Sequence, residues 1–146
     1  MTAPENDGDL LAAFFERVPY ARFLGIQAQV SSKGLTTILP FAPHMIGNIS
    51  IPALHGGVIG AFMEMTALAQ LTLGQSAGPL PKVVDVTIEY LRPGRTQTTF
   101  ARAEVRKAGR RVANVHVEAW QDDPGKPIAF LRGHFLLPQD AAPSTS

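Results

Sequence analysis

One carboxylate stands alone in an apolar run. Between Leu54 and Leu73 the chain reads LHGGVIGAFMEMTALAQLTL, and from Val58 onward apolar residues occupy almost every face. That is the pattern of a helix enclosed by other structure. Glu64 is its only acidic residue. A carboxylate buried without a partner is costly and tends towards neutralisation, so a lone Glu in this setting suits acid–base or nucleophilic work. The alternative is a Glu that follows a groove to solvent or pairs with an Arg from elsewhere.

His55, Gly56 and Gly57 open the run. The first backbone N–H groups of a helix have no intrahelical acceptor, and the helix dipole adds partial positive charge there. Glycines let a ligand approach such a backbone closely. The expectation is an oxyanion hole for a polarised carbonyl, with a tight loop-to-helix turn that simply needs Gly as the other reading. Gly56 and Glu64 are eight positions apart, about 12 Å along one helix at ~1.5 Å per residue. A donor and a base must each come within about 3 Å of the reacting group. If both act in one reaction, they come from two subunits, most simply with two helices antiparallel across a two-fold dimer.

Composition narrows the field. The 146 residues suit one domain, with 45% hydrophobic and 17% charged residues. A formal charge of +1 argues against nucleic acid as the main partner. The chain has no Cys, which excludes a disulfide framework, a thiolate nucleophile and Cys-ligated metal. His44, His116 and His134 are too scattered to suggest a metal cluster, and no resident cofactor is expected. The N-terminal MTAPENDGDL lacks the basic-then-apolar pattern of a secretory signal, so a cytoplasmic location is expected. Glu64, Thr66, Gln70 and Thr72 interrupt the apolar run, which is shorter than the ~20 residues of a membrane span, so no membrane partner is expected either.

In chain order, residues 1–8 read as a polar, disordered tail, and Asp9 stands where an N-cap would start an amphipathic helix ending near Pro19. Gly25 to Ser31 and Leu35 to Phe41 read as strands joined by a turn at Ser32, Lys33 and Gly34. Pro43 to Ala53 is a loop carrying His44, Asn48 and Ser50, and Gly74 to Pro81 is a second loop. Four alternating segments follow. Val84, Val86, Ile88 and Tyr90 share one side of the first; Ala101, Ala103 and Val105 share one side of the second. Ala113, Val115, Val117 and Ala119 do so in the third, and Ile128 to Leu137 closes the set. Short turns make these segments antiparallel neighbours whose apolar face needs the helix. Residues 9–137 then form the single domain, and 138–146 a disordered tail.

This order, with HGG at the helix start and an acid nine positions after the His, resembles the hotdog-fold acyl-CoA thioesterases, in particular the phenylacetate-degradation type. LHGGVIGAFMEM and VVDVTIEYLRPG carry the resemblance most sharply, with GRR and FLRGHF behind them. The implied fold is α+β: an antiparallel six-stranded sheet wrapped around one long central helix, with an extra N-terminal helix. The implied activity is hydrolysis of a small, medium or aromatic acyl-CoA thioester by a homodimer or tetramer.

By the same resemblance Glu64 is the general base or the nucleophile, and the Gly56 N–H of the partner subunit holds the carbonyl oxygen. His55 and Gly57 shape that loop. Asn48 is the candidate to orient water, one position from the usual spacing, where Ile49 stands. Val83 occupies a place where some relatives carry a hydroxyl, with Thr66 a substitute near the substrate. Arg92, Gly94, Arg110 and Arg111 match positions that bind the phosphates of coenzyme A, which is part of the substrate. A hydratase or dehydratase, or a non-catalytic acyl-CoA binder, are the alternatives on the same fold.

Overall fold

The computed structural model describes residues 6–75 and 78–139. The predicted tails therefore fall outside the described residues at 1–5 and 140–146, and part of the second loop does so at 76–77. The first helix, α1, spans Asp7–Arg17 and is capped by Asn6, whose Oδ1 accepts from the Asp9 N–H at 2.8 Å. The cap is thus Asn6 and not Asp9, and Asp7 and Gly8 belong to the helix, not to a tail. Both acids lie in the first turn, where the helix dipole favours them.

A short helix that the sequence did not announce, α2 (Pro19–Phe23), begins on the proline. Pro is pre-set for a first helical position, so Pro19 ends one helix and starts another. Strands β1 (Gln27–Ser31) and β2 (Gly34–Leu39) form the expected hairpin, with Gly34 at φ 102° in its turn. The loop after β2 is more regular than expected. It holds a 3₁₀ turn at Pro43–Met45 and a small two-stranded ladder of β3 (Ile46–Asn48) and β4 (Ala53–Leu54).

The central helix, α3, spans Gly56–Leu73, followed by β5 (Lys82–Tyr90), β6 (Thr99–Ala108), β7 (Val112–Trp120) and β8 (Ala129–Leu136). Every pairing in the main sheet is antiparallel, and the order is β1-β2-β6-β7-β8-β5. The expected six strands thus wrap one helix. Ala113, Val115, Val117 and Ala119 of β7 and Ala129, Leu131 and Phe135 of β8 are fully buried beneath it. The α1 helix packs on α3 and adds Leu11 and Phe14 to the same core.

Two features depart from an enclosed helix and a regular sheet. α3 is buried on most sides, yet Gly57 is exposed and Val58, Ala61, Glu64 and Leu68 are only half-buried. Their spacing of three or four residues makes one open stripe. Beside it, β5 is an edge strand whose side chains are exposed or half-buried throughout, including Val84 and Tyr90. α3 is also the one described helix long and apolar enough to cross a membrane, but it sits as the core of this sheet.

Thr66, expected near substrate, lies instead in the core with 1% of its surface exposed. Its hydroxyl donates to the Phe62 carbonyl at 2.8 Å and accepts from Thr37 at 2.7 Å. The Thr37 hydroxyl also reaches the Ala101 carbonyl. A polar residue on an apolar helix can be satisfied by its own backbone and one cross-strand partner, which is what happens here. Thr66→Val should therefore lower the unfolding free energy by only about 1 kcal/mol and leave turnover per folded molecule unchanged. Phe62→Ala, at a fully buried position, should cost about 3–5 kcal/mol in a denaturant titration. A Phe62→Ala loss no larger than that of Thr66→Val would contradict the central position of α3.

Candidate functional site

Three glycines near the start of α3 owe their identity to neighbours within the chain. A Cβ on Gly56 would lie 3.3 Å from the hydroxyl oxygen and Cζ of Tyr90. On Gly60 it would fall 2.8 Å from Ile88 Cδ1 and 3.4 Å from the Tyr90 hydroxyl. On Gly57 it would meet His55 Nδ1 at 2.9 Å. Gly56 and Gly60 are four residues apart and therefore share a helix face, and β5 lies against that face. Beside the expected approach of a ligand, these glycines have a local use: they leave room for Tyr90, Ile88 and the His55 ring.

His55 is the N-cap. Its Nδ1 accepts from the Gly57 N–H at 2.8 Å, so Nδ1 carries no proton in this state and Nε2 carries the one on the ring. This fits a histidine that shapes the loop. The His55 carbonyl then takes the N–H groups of Val58 and Ile59. Gly56 is left as the first helical N–H, with no acceptor among the described residues. On its other side the Gly56 carbonyl accepts from the Tyr90 hydroxyl at 2.7 Å.

Gly56 lines a cleft of about 520 Å³ whose wall also includes Asn48, His55, Ile59, Tyr90 and Arg92. Asn48 thus lines the same cleft as Gly56, although its Oδ1 is used by the Ser50 N–H at 2.9 Å in a local turn. Gly94 lies in the same wall. Its carbonyl accepts from the Leu54 N–H at 2.9 Å, and a Cβ there would press on Ile59 at 3.0 Å, so it holds the loop onto α3. An adjoining cleft of about 630 Å³ shares Arg92, Pro93 and Gly94 with the first and adds Arg95 and Lys126. Asp122 and Asp123 also border it. The Arg92 guanidinium is steadied by the Pro127 carbonyl.

Glu64 is the candidate acid. It is half-buried on the open stripe of α3, and its carboxylate has neither a hydrogen bond nor an ion pair among the described residues. Among the described residues no Arg pairs with it. Burial raises its pKa above the ordinary 4.5, because loss of water penalises the charged form. Since α3 is continuous from Gly56 through Glu64, the two groups are about 12 Å apart along one chain.

Arg110 and Arg111 lie elsewhere. They occupy the turn between β6 and β7, whereas Arg92 follows β5 at the opposite end of the sheet. Nine steps separate Thr99 from Ala108, roughly 30 Å of strand at ~3.3 Å per residue. One chain therefore brings together His55, Gly56, Asn48, Arg92 and Gly94, but not Glu64, Thr66, Arg110 or Arg111. Among the described residues no group of three His, Cys, Asp or Glu side chains is arranged to hold a metal. Tyr90, Arg95 and Lys126 were not anticipated. The four-residue spacing of Gly56 and Gly60 was the available sign that a large side chain crosses the helix start.

Known proteins can now be compared with this geometry. The sequence model of the thioesterase superfamily matches residues 52–128, more than half the chain, from the loop before α3 to the start of β8. A Chromobacterium violaceum protein of known structure is 41% identical, with a TM-score of 0.72, over 90% of this chain and 96% of that one. The medium/long-chain acyl-CoA thioesterase YigI of Salmonella typhimurium is 27% identical over 125 residues, spanning 75% of this chain and 80% of that protein. PaaI, from the Escherichia coli phenylacetic acid degradation operon, shares the fold, with 20% identity and a TM-score of 0.74 over 89% of this chain and 91% of that one. The wrapped helix, the family match and these relatives agree: the chain belongs to the thioesterase superfamily, and it is a hotdog-fold thioester hydrolase.

Proposed function

We propose that the protein hydrolyses medium-chain acyl-CoA thioesters in a homodimer, with Glu64 of one subunit and the Gly56 N–H of the other acting on one thioester. The observation that carries this reading is the unpaired, desolvated carboxylate of Glu64 on the one open stripe of α3. The acyl range expected from the sequence and the name of YigI overlap in the medium chains.

The edge of the sheet supports pairing of two copies. A nine-residue edge strand with exposed Val84 and Tyr90 offers unpaired backbone groups, which folded proteins normally cover. Two β5 strands joined antiparallel about a two-fold would set two α3 helices antiparallel beside them. Each Gly56 would then face the middle of the opposite helix. The same symmetry would carry Arg110 and Arg111 of the partner subunit to the end of the sheet that holds Arg92, where the nucleotide phosphates would lie.

In the base-catalysed route Glu64 takes a proton from water, and the hydroxyl oxygen bonds to the thioester carbon. The carbonyl oxygen gains negative charge beside the Gly56 N–H. The C–S bond breaks, and the thiolate leaves with the proton that Glu64 holds. In the nucleophilic route the carboxylate itself bonds to that carbon, expels the thiolate, and water then opens the mixed anhydride. Both routes need the ionised acid.

Glu64→Gln should reduce turnover by about 10²–10⁴ in a thiol-release assay across short, medium, long and aromatic acyl-CoA esters. Retained turnover would overturn the role of Glu64. Because burial raises the folded-state pKa of Glu64, activity should rise with pH through a value above 4.5. The sign for stability is opposite. Below the unfolded pKa the acid is neutral in both states, and stability falls as pH climbs towards the folded value. Glu64→Gln should therefore unfold at higher denaturant than the parent near neutrality, with the difference vanishing in acid.

Gly56 can be tested by its N–H alone. Proline is tolerated at a first helical position, and the extended backbone of His55, φ −64° and ψ 131°, suits a residue before proline. Gly56→Pro removes the donor, while Gly56→Ala adds a Cβ and keeps it. The proline variant should turn over about 10²–10³ times more slowly than the alanine variant; equal rates would remove Gly56 from the oxyanion role. Replacing Arg110 and Arg111 by Ala should raise KM for the CoA ester but not for the matching N-acetylcysteamine thioester, which has no phosphates. Equal effects on both substrates would remove these arginines from nucleotide binding.

A further inference from the structure

The Gly56–Gly57 peptide is held from both sides. Its carbonyl accepts from the Tyr90 hydroxyl at 2.7 Å, and its N–H donates to His55 Nδ1 at 2.8 Å. Tyr90 closes β5 and lies across the first turn of α3, its ring and hydroxyl 3.3 Å from where a Cβ on Gly56 would be and its hydroxyl 3.4 Å from one on Gly60. In α-helical geometry the Gly56 carbonyl also faces the Gly60 N–H. The Tyr90 hydroxyl is thus an additional donor, from another element, at the point where the helix is least restrained by its own hydrogen bonds. Tyr90 also borders the 520 Å³ cleft that Gly56 lines, and it is 52% exposed.

We infer that Tyr90 is a positioning residue for hydrolysis: its hydroxyl fixes the Gly56–Gly57 peptide, and through the shared Gly56 Cα limits how far the preceding N–H, that of Gly56, can swing. The inference rests on the proposed role of Gly56. Its physical content is orientational. An oxyanion donor works because it is already aimed at the developing charge, and the first turn of a helix frays unless something outside the helix ties it down. His55 restrains the N–H side of the peptide plane and Tyr90 the C=O side. With both in place, the plane cannot rotate without breaking a hydrogen bond. Two hydrogen bonds through one peptide also polarise each other.

Tyr90→Phe keeps the ring, and so the fit over Gly56 and Gly60, while removing the donor. On the folded protein kcat should fall on the order of 10-fold with KM unchanged, the rate equivalent of losing about one hydrogen bond. The decisive measurement is a double-mutant cycle. Tyr90→Phe should slow the parent and the Gly56→Ala variant, but should add nothing to Gly56→Pro, which has no N–H left to aim. A merely structural tyrosine would slow all three backgrounds alike, and that result overturns the inference. An unchanged kcat in Tyr90→Phe, with Gly56→Pro still far below Gly56→Ala, also overturns it and leaves the Gly56 role standing. Equal rates for the proline and alanine variants instead remove the reading on which the inference rests. Should Tyr90→Phe not fold, 3-fluorotyrosine can be incorporated in a Tyr20→Phe background, since Tyr20 and Tyr90 are the only tyrosines. It keeps the ring and makes a stronger donor, so kcat should move in the parent and stay fixed in Gly56→Pro; no difference between these backgrounds overturns the inference.

Discussion

The fixed rise of α3 governs what one copy of this chain can do. A helix is a rigid ruler, and its continuity from Gly56 to Leu73 sets about 12 Å between the free N–H and the unpaired acid. No side-chain rotation closes that gap, since a glutamate reaches only a few ångströms from its backbone. The same helix supplies the main core contact of the sheet, so it cannot bend to bring the two groups together without unpacking Phe62, Met63 and the buried faces of β7 and β8. Packing and chemistry therefore make opposite demands on α3. Packing needs it straight and apolar; the proposed chemistry needs its two polar features at one carbon.

The polar groups of α3 show how the conflict is handled. Thr66 is turned inward and fully satisfied, and His55 is spent on the Gly57 N–H. Among the described residues, the groups of α3 left without a partner include one amide at the helix start and one carboxylate midway. Each is tolerated because it lies on an accessible face, Gly56 in a cleft wall and Glu64 on the half-buried stripe. An unpartnered group deep in the core would cost far more. Partial burial raises the pKa of Glu64 while water still reaches it, a condition that suits a group required to take up and release a proton.

Much of this was legible before any coordinates, and the limits follow from what periodicity can encode. Glu64 stood out because the residues around it were apolar on every face, and the four late strands because alternation with period two has few other meanings. Thr66 misled because a threonine on an apolar helix reads the same whether it faces substrate or bonds to its own backbone. Asn6 and Asp9 are three residues apart, and either could cap; only the angle at which the chain enters decides. Tyr90 was hidden in the alternation of β5, where its ring reads as one more inward apolar residue and its hydroxyl is silent. Arg92, Arg110 and Arg111 were grouped because a motif has no length scale across a sheet. Roughly 30 Å of β6 separates them within one chain.

Those two separations, along α3 and along β6, would have the same remedy in the proposed dimer. A two-fold axis beside β5 would reverse both the helix and the sheet of the second copy, so one operation would serve the acid–amide pair and the arginine groups together. No independent adjustment of either is needed. The exposed features agree with this economy. The open stripe of α3 and the uncovered inner residues of β5 adjoin each other, joined where Ile88 and Tyr90 meet Gly60 and Gly56. A partner that covered one would necessarily approach the other. On the proposed dimer, then, assembly does more than bring reactive groups together. It would also take water from the stripe that carries Glu64, raising its pKa further by the same desolvation that acts in the single chain. The acid would become a better-matched base at the moment its amide partner arrives.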